Sequence, residues 1–260
     1  MVERTDPQIS SPKGRPLTRA LGALAALALT AVHLGGATAQ TAAPAIPAPP
    51  ALSFAASGDE AFDAWRADFA ARAVASGRQP GVVQALLQRA TPDPTIIQLD
   101  RNQAEGISPP WTYMNGVVSA QRWNAGMTKK AENGLLFSQV QAKYGVDSDI
   151  VAGIWAVETN FGAAPLRYDA ESALATLAFD LRRRARFEQY LLALMQMVER
   201  GYAGPAELKS SWAGAMGQPQ FMPDAYLTYA ADWDGDGRRD IWNNTGDVLA
   251  SISNYLLQHG

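Results

Sequence analysis

A single carboxylic acid, Glu158, lies within an otherwise apolar helical segment and constrains how this chain can fold. The segment covers residues 146–162, with the sequence VDSDIVAGIWAVETNFG. Asp147 or Ser148 can cap its start, and Gly162 suits a left-handed residue after its end. These signals predict a helix that carries Glu158 on its apolar side.

The position of Glu158 on this helix gives it an unusual environment. It follows Val151, Ile154 and Trp155 by seven, four and three residues, which predicts that it shares their apolar stripe. Desolvation there favours the neutral acid and raises its pKa toward neutrality, as a general acid requires. The alternative is a structural glutamate that bonds to a helix N-terminus or to an arginine.

The first 39 residues have the organisation of a secretory signal. Lys13, Arg15 and Arg19 precede an apolar run over residues 20–34, and the A-x-A site at 37–39 precedes the expected cleavage point. The apolar run is too short for a membrane span. A location in the periplasm, without a membrane anchor, is therefore expected.

The remaining chain divides into an Ala/Pro-rich linker, residues 40–58, and a domain over residues 59–260. Helical periodicity dominates this domain and predicts a mainly α fold, with one short strand or extended segment at 96–99. The arginines at 182–184 are interpreted as a solvated helix end, or as partners of a buried carboxylate. The predicted helices cover residues 60–76, 82–90, 115–144, 146–162, 172–184, 186–200 and 247–258.

Composition excludes several kinds of chemistry. The chain has no cysteine and a formal net charge of −3, which disfavours nucleic-acid binding and leaves no disulfide. The chain has two histidines, His33 in the expected signal and His259 next to the last residue, so neither a catalytic triad nor a zinc site is expected. Carboxylate chemistry remains, and a glycan is the expected target in an exported protein.

A Gly/Pro-rich segment, residues 210–223, interrupts the helical pattern. Gly214, Gly217, Pro219 and Pro223 exclude one continuous helix here. Small residues also allow the backbone to approach another chain segment or a ligand closely. This segment is called the groove loop below.

The segment after residue 231 has the first half of an EF-hand-like calcium loop. Alternate aspartates can converge on a hard cation, but Asn243 stands where a bidentate glutamate is expected. A later aspartate, at the head of the last helix, can supply the missing carboxylate. The alternative is an Asp/Gly-rich turn without an ion. The predicted ligands of a structural Ca²⁺ are Asp232, Asp234, Asp236, Arg238 and Asp247.

Three segments resemble the signatures of the lytic murein transglycosylase B family. They are IWAVETNFG at 154–162, SWAGAMGQPQFMP at 211–223 and DWDGDG at 232–237, the last followed by Ile241-Trp242 and Asn254-Tyr255. Leu99-Asp100-Arg101 and Pro110-Trp111 also fit, so the resemblance runs from about residue 62 to residue 260.

This resemblance implies a lysozyme-like fold with a glycan groove. Such enzymes cleave the β-1,4 bond between N-acetylmuramic acid and N-acetylglucosamine and leave a 1,6-anhydromuramic end. Glu158 would act as acid and then as base. The groove residues implied by the match are Ser211, Gln220, Phe221, Asn254 and Tyr255. The alternatives are ordinary hydrogen bonding for Ser211, Gln220 and Asn254, and core packing for Tyr255.

The family resemblance also sets expectations for partners. Glycan strands of peptidoglycan are the expected partner of a monomeric enzyme that needs no cofactor for catalysis. Family members usually continue beyond the position of Gly260, so the catalytic domain is expected to be C-terminally truncated. Two alternatives follow: a non-catalytic peptidoglycan-binding module, and a hydrolytic muramidase that adds water.

Overall fold

Helices account for nearly all regular structure in the computed structural model, which describes residues 52–102 and 118–260. The only strands in these residues are β1 (Tyr168–Asp169) and β2 (Lys209–Ser210), which pair antiparallel with Tyr168 opposite Ser210. A mainly α architecture was expected, and it is confirmed. The helices are α1 (Glu60–Ala75), α2 (Pro80–Arg89), α3 (Pro94–Asn102), α4 (Ala120–Glu132), α5 (Gly134–Tyr144), α6 (Ser148–Thr159), α7 (Ala170–Phe179), α8 (Arg184–Glu199), α9 (Pro223–Tyr229) and α10 (Thr245–His259).

Two apolar clusters hold these helices together. The larger cluster packs α1, α2, α3, α7, α8 and α9 around side chains such as Phe62, Leu174 and Leu194. The smaller cluster packs α5, α6 and α10, with Trp155 and Leu249 fully or almost fully buried. Removal of this apolar surface from water is the main force that assembles short helices such as these.

Two arginines of the run at 182–184 are partners of a buried carboxylate, which is the second of the two roles predicted for this run. Arg182 and Arg183 both form ion pairs with Asp100, whose side chain is 2% exposed. Leu181, just before the run, has a left-handed backbone (φ 70°) that turns the chain between α7 and α8. These ion pairs therefore fasten the end of α3 to the start of α8.

Two predicted elements differ from the structure. Residues 96–99 lie within α3 and not in a strand, because Pro94 opens a helix and the Asp93 carboxylate accepts the Thr95 N–H at 2.8 Å. The described part of the predicted helix 115–144, residues 118–144, contains two helices separated at Asn133. The signal, most of the linker and the Pro110-Trp111 match lie outside the described residues.

Among the described residues, none of the helices combines the length and the apolar character needed to cross a bilayer.

The groove loop approaches α7 so closely that only glycine fits at one position. Gly214 has a left-handed backbone (φ 84°), and a Cβ there would lie 2.4 Å from the Leu174 Cδ2 atom. Leu174 is fully buried and cannot retreat easily. The contact therefore fixes the loop against the larger cluster.

We expect Gly214→Ala to lower the free energy of unfolding by about 1–3 kcal/mol more than Gly77→Ala. Gly77 is the matched control, because its backbone is also left-handed (φ 94°) but a Cβ there meets nothing within 4 Å. Urea unfolding of both variants measures the difference. Equal losses would show that the loop does not press on Leu174.

Candidate functional site

The helix α6 places Glu158 in its last turn. Its start is capped by Asp147, whose carboxylate accepts the Asp149 N–H at 2.7 Å. At its end, Asn160, Phe161 and Gly162 all have left-handed backbones, so the reversal begins earlier than the predicted Gly162. The buried side of α6 carries Val151, Ala152, Trp155, Ala156 and Thr159.

Glu158 is exposed and not part of this buried stripe, which corrects the prediction. It lies at the margin of the stripe, next to the half-buried Ile154, so its carboxyl reaches solvent beside the helix. Desolvation by the surrounding protein nevertheless raises its pKa above the ordinary value of 4.5. Within residues 52–102 and 118–260, its carboxylate has no hydrogen bond or ion pair. The alternative of an arginine-bound structural glutamate thus lacks support.

The groove loop is folded back on itself by internal hydrogen bonds. Met216 bridges to both Ser210 and Phe221. The Ser211 hydroxyl accepts the Ala215 N–H at 3.2 Å, and the Gln220 amide donates to the Gly217 carbonyl at 2.8 Å. Ser211 and Gln220 therefore make ordinary hydrogen bonds within the loop, as the alternative interpretation of these two residues predicted. The Gln220 Oε1 atom has no partner among the described residues.

Asn254 and Tyr255 lie on α10, beside the groove loop. The Asn254 amide donates to the Tyr229 carbonyl at 2.8 Å. The Tyr255 side chain is 36% exposed, which contradicts simple core packing, and its ring centroid lies 5.7 Å from that of Phe221. Phe221 itself is only 8% exposed and belongs to the larger cluster. A sugar ring could therefore stack on Tyr255 more readily than on Phe221.

Gln218 connects the groove loop to α6, and the sequence analysis missed it. The Trp155 indole N–H donates to its Oε1 at 2.7 Å. The Thr159 hydroxyl donates to its main-chain carbonyl at 2.9 Å. The sequence feature that could have identified Gln218 is its position inside the second family signature, residues 211–223. Trp155 and Thr159, which lie on either side of Glu158 in the sequence, thus contact the groove loop directly.

The loop at residues 232–247, called the cation loop here, brings three of the five predicted ligands together. Asp232, Asp234 and Asp247 each offer an oxygen within 4.8 Å of the others. Asp236 lies outside this group and accepts the Arg238 N–H at 2.7 Å. The Arg238 guanidinium pairs with Glu207 at 2.6 Å.

Asp247 is the buried member of the group. Its two oxygens accept the N–H groups of Trp233 and Asp240 at 2.7 and 2.6 Å. Desolvation raises the pKa of Asp247 to about 6, and repulsion from Asp234 and Asp232 adds to this effect. A set of convergent carboxylate oxygens is the donor set that a hard cation such as Ca²⁺ takes.

Comparisons with known proteins show the family to which the chain belongs. The sequence profile of the transglycosylase SLT domain matches residues 61–260. The chain is 34% identical over 189 residues to the membrane-bound lytic murein transglycosylase B of Escherichia coli strain K12, covering 68% of this chain and 52% of that protein. The chain thus spans about half the length of this curated relative.

Solved structures show the same likeness. SltB3 from Pseudomonas aeruginosa, in complex with NAG-NAM-pentapeptide, has a TM-score of 0.74 and 37% identity, covering 78% of this chain and 54% of that chain. The Escherichia coli lytic transglycosylase SLT35, in complex with calcium, has a TM-score of 0.67 and 31% identity, covering 75% and 62%. These matches confirm the expected mainly α, lysozyme-like fold. The chain belongs to the transglycosylase SLT domain family and is a relative of lytic murein transglycosylase B.

Proposed function

We propose that this chain is a peptidoglycan lytic transglycosylase that cleaves the β-1,4 bond between N-acetylmuramic acid and N-acetylglucosamine. The observation that carries the proposal is Glu158: it is open to solvent, unpaired among the described residues, and has a raised pKa. Such a carboxyl keeps its proton at a pH where an ordinary glutamate has lost it. It is therefore suited to general acid catalysis.

The first proposed step is protonation of the leaving group. Glu158 donates its proton to the glycosidic oxygen as the bond from that oxygen to C1 of the muramic acid breaks. The N-acetylglucosamine leaves as an alcohol, and positive charge develops at C1. The substrate's own N-acetyl group and polar protein groups meet this charge.

The second proposed step closes a ring without adding water. The Glu158 carboxylate now accepts the proton of the muramic acid O6 hydroxyl, and O6 attacks C1. The product is a 1,6-anhydromuramic end, and Glu158 returns to its acid form. One carboxyl serves in both steps, whereas ordinary glycosidases divide such work between two.

The groove residues would hold the glycan beside this acid. The Gln220 Oε1 atom can accept a hydrogen bond from a sugar hydroxyl, because its amide nitrogen is already fixed to the loop. The Tyr255 ring stacks on the His259 ring at a centroid distance of 4.2 Å, and its remaining exposed surface can contact a sugar. Ser211 and Asn254 are proposed to position these groups, and a glycan strand is the proposed partner of a monomer. The secretory-type sequence of residues 1–39 supports a location in the periplasm.

We expect Glu158→Gln to reduce the release of anhydromuropeptides from murein sacculi by at least about 100-fold, because glutamine has no proton to donate. Its melting temperature should stay equal or rise slightly. A raised pKa means that ionisation of this carboxyl is less favourable in the folded protein than in the unfolded chain, and the neutral amide removes that cost. Product mass and a thermal melt measure the two effects.

Glu132→Gln is the matched control, because Glu132 is an exposed glutamate that forms an ion pair with Lys129. It should keep full activity. Unchanged release by Glu158→Gln would refute the assigned acid. Products one water heavier would indicate a hydrolytic muramidase, and binding to sacculi without soluble products would indicate a binding module.

The pH profile of cleavage should reflect the raised pKa of Glu158. Because the acid form is needed in the first step, kcat/KM should fall as pH rises through that pKa, which lies above the ordinary 4.5. Initial rates on soluble glycan strands across pH 4 to 9 test this. A decline centred at or below the ordinary glutamate pKa would contradict the proposed desolvation.

We further propose that the cation loop binds a structural Ca²⁺, without a role in the chemical steps. The donor set of Asp232, Asp234 and Asp247 fits a hard cation. The relation to SLT35, which is described in complex with calcium, supports the choice of ion. Bound calcium would offset the repulsion among three neighbouring carboxylates.

Calcium should therefore raise the melting temperature, and a chelator should reverse the rise. At a calcium concentration 100 times the Kd, binding to the folded state alone adds about 2.7 kcal/mol. Asp234→Asn should weaken the response, whereas Asp68→Asn, which changes an exposed aspartate outside the loop, should not. A melt that is insensitive to calcium and chelator would argue against the site.

A further inference from the structure

The Gln218 side chain joins two parts of the molecule that are distant in sequence. Its Oε1 accepts the Trp155 indole N–H at 2.7 Å, and its Nε2 donates to the Trp242 carbonyl at 2.7 Å. Its main-chain N–H also donates to the Ile241 carbonyl at 2.8 Å. The amide is thus held on one side by α6 and on the other by the cation loop.

The same residue fixes the end of α6. The Thr159 hydroxyl, 2% exposed, donates to the Gln218 carbonyl at 2.9 Å and accepts the Gly162 N–H at 3.2 Å. A Cβ on Gly162 would lie 2.5 Å from the Gln218 Oε1 atom, so the backbone after α6 lies directly against this amide. The left-handed reversal at Asn160 and Phe161 is stabilised by these contacts.

Both anchored residues flank Glu158. Trp155 precedes it by three residues, about one helical turn, and Thr159 is its direct neighbour. Hydrogen bonds at these two points restrict rotation and sliding of the last turn of α6. The direction in which the Glu158 carboxyl leaves the helix therefore depends on Gln218, although no hydrogen bond joins the two side chains among the described residues.

We propose that Gln218 is a positioning residue, which sets the geometry of Glu158 through Trp155 and Thr159 and ties it to the cation loop. The inference rests on the proposed function, because Glu158 must be the acid for its position to matter. Gln218 itself does not touch the reacting atoms in this proposal. A small displacement of a catalytic group can lower the rate by as much as about 100-fold.

The test is Gln218→Met, which keeps the length of the side chain but removes both amide hydrogen bonds. We expect kcat on soluble glycan strands to fall at least tenfold, with KM changed less than twofold. The alkaline limb of the pH profile should also move to lower pH, because a loosened last turn exposes Glu158 to more water and reduces its desolvation. In a ¹⁵N spectrum, the Trp155 indole resonance should shift, since its acceptor is lost.

Thr176→Val is the matched control for lost stability. Thr176 is also buried and hydrogen-bonded, donating to the Ser172 carbonyl at 2.7 Å, but it lies in the larger cluster on α7. It should lower the melting temperature without changing kcat or the pH profile. If Gln218→Met behaves in the same way as Thr176→Val, Gln218 has a structural role only and the proposal is overturned.

A second pair of variants decides the matter if Gln218→Met does not fold. Thr159→Val removes the hydroxyl that bonds to the Gln218 carbonyl, and Thr159→Ser keeps it. We expect a lower kcat for valine and recovery for serine, whereas equal rates in the two would overturn the proposal. Wild type and Glu158→Gln are assayed alongside. An inactive wild type would refute the proposed function, while an active wild type with normal Gln218 and Thr159 variants would refute this inference alone.

Discussion

The structure of the site depends on the contact between α6 and the groove loop, made where the Trp155 indole and the Thr159 hydroxyl meet Gln218. Without it, the last turn of a short helix would fray, because its final carbonyls have few partners of their own. The same contact joins the two apolar clusters, since Trp155 belongs to the smaller one and Met216 of the groove loop to the larger. The contact with Gln218 therefore supports both the packing of the two clusters and the geometry around Glu158.

Two buried acidic residues of this protein are paired with arginines, whereas the proposed acid has no ion pair among the described residues. Glu171 is fully buried, and burial raises its pKa, but Arg89 pairs with it at 2.6 Å. Asp100 is likewise buried and is held by two arginines. Glu158 also has a raised pKa, yet it is open to solvent and has no such partner in the described part of the chain. Because Glu158 is partly desolvated and no cationic side chain of residues 52–102 or 118–260 neutralises its carboxylate, the proton of its carboxyl stays available for transfer.

Local patterns predicted some elements well and others poorly. The caps and apolar spacing around α6 gave a helix close to the observed one, and three carboxylates of the cation loop do converge. Residues 96–99 were wrongly predicted as extended, because four apolar-rich residues carry no clear periodicity and Pro94 acts as a helix start only in its context. Phe221 was predicted to face a sugar; it is only 8% exposed and lies beside the Tyr255 ring of α10, so little of its surface is open to a ligand.

The sequence by itself determined the family and the mainly α fold, and it singled out Glu158 as the proposed acid, because spacing and signature residues are properties of one chain segment at a time. It could not determine that Glu158 lies at the margin of its stripe, that Asp236 stands outside the carboxylate group, or that Gln218 anchors α6. The anchoring of α6 arises where segments some 60 residues apart meet, as Trp155 and Gln218 do. Exposure and hydrogen-bond partners are set by such neighbours, and only the tertiary structure brings them together.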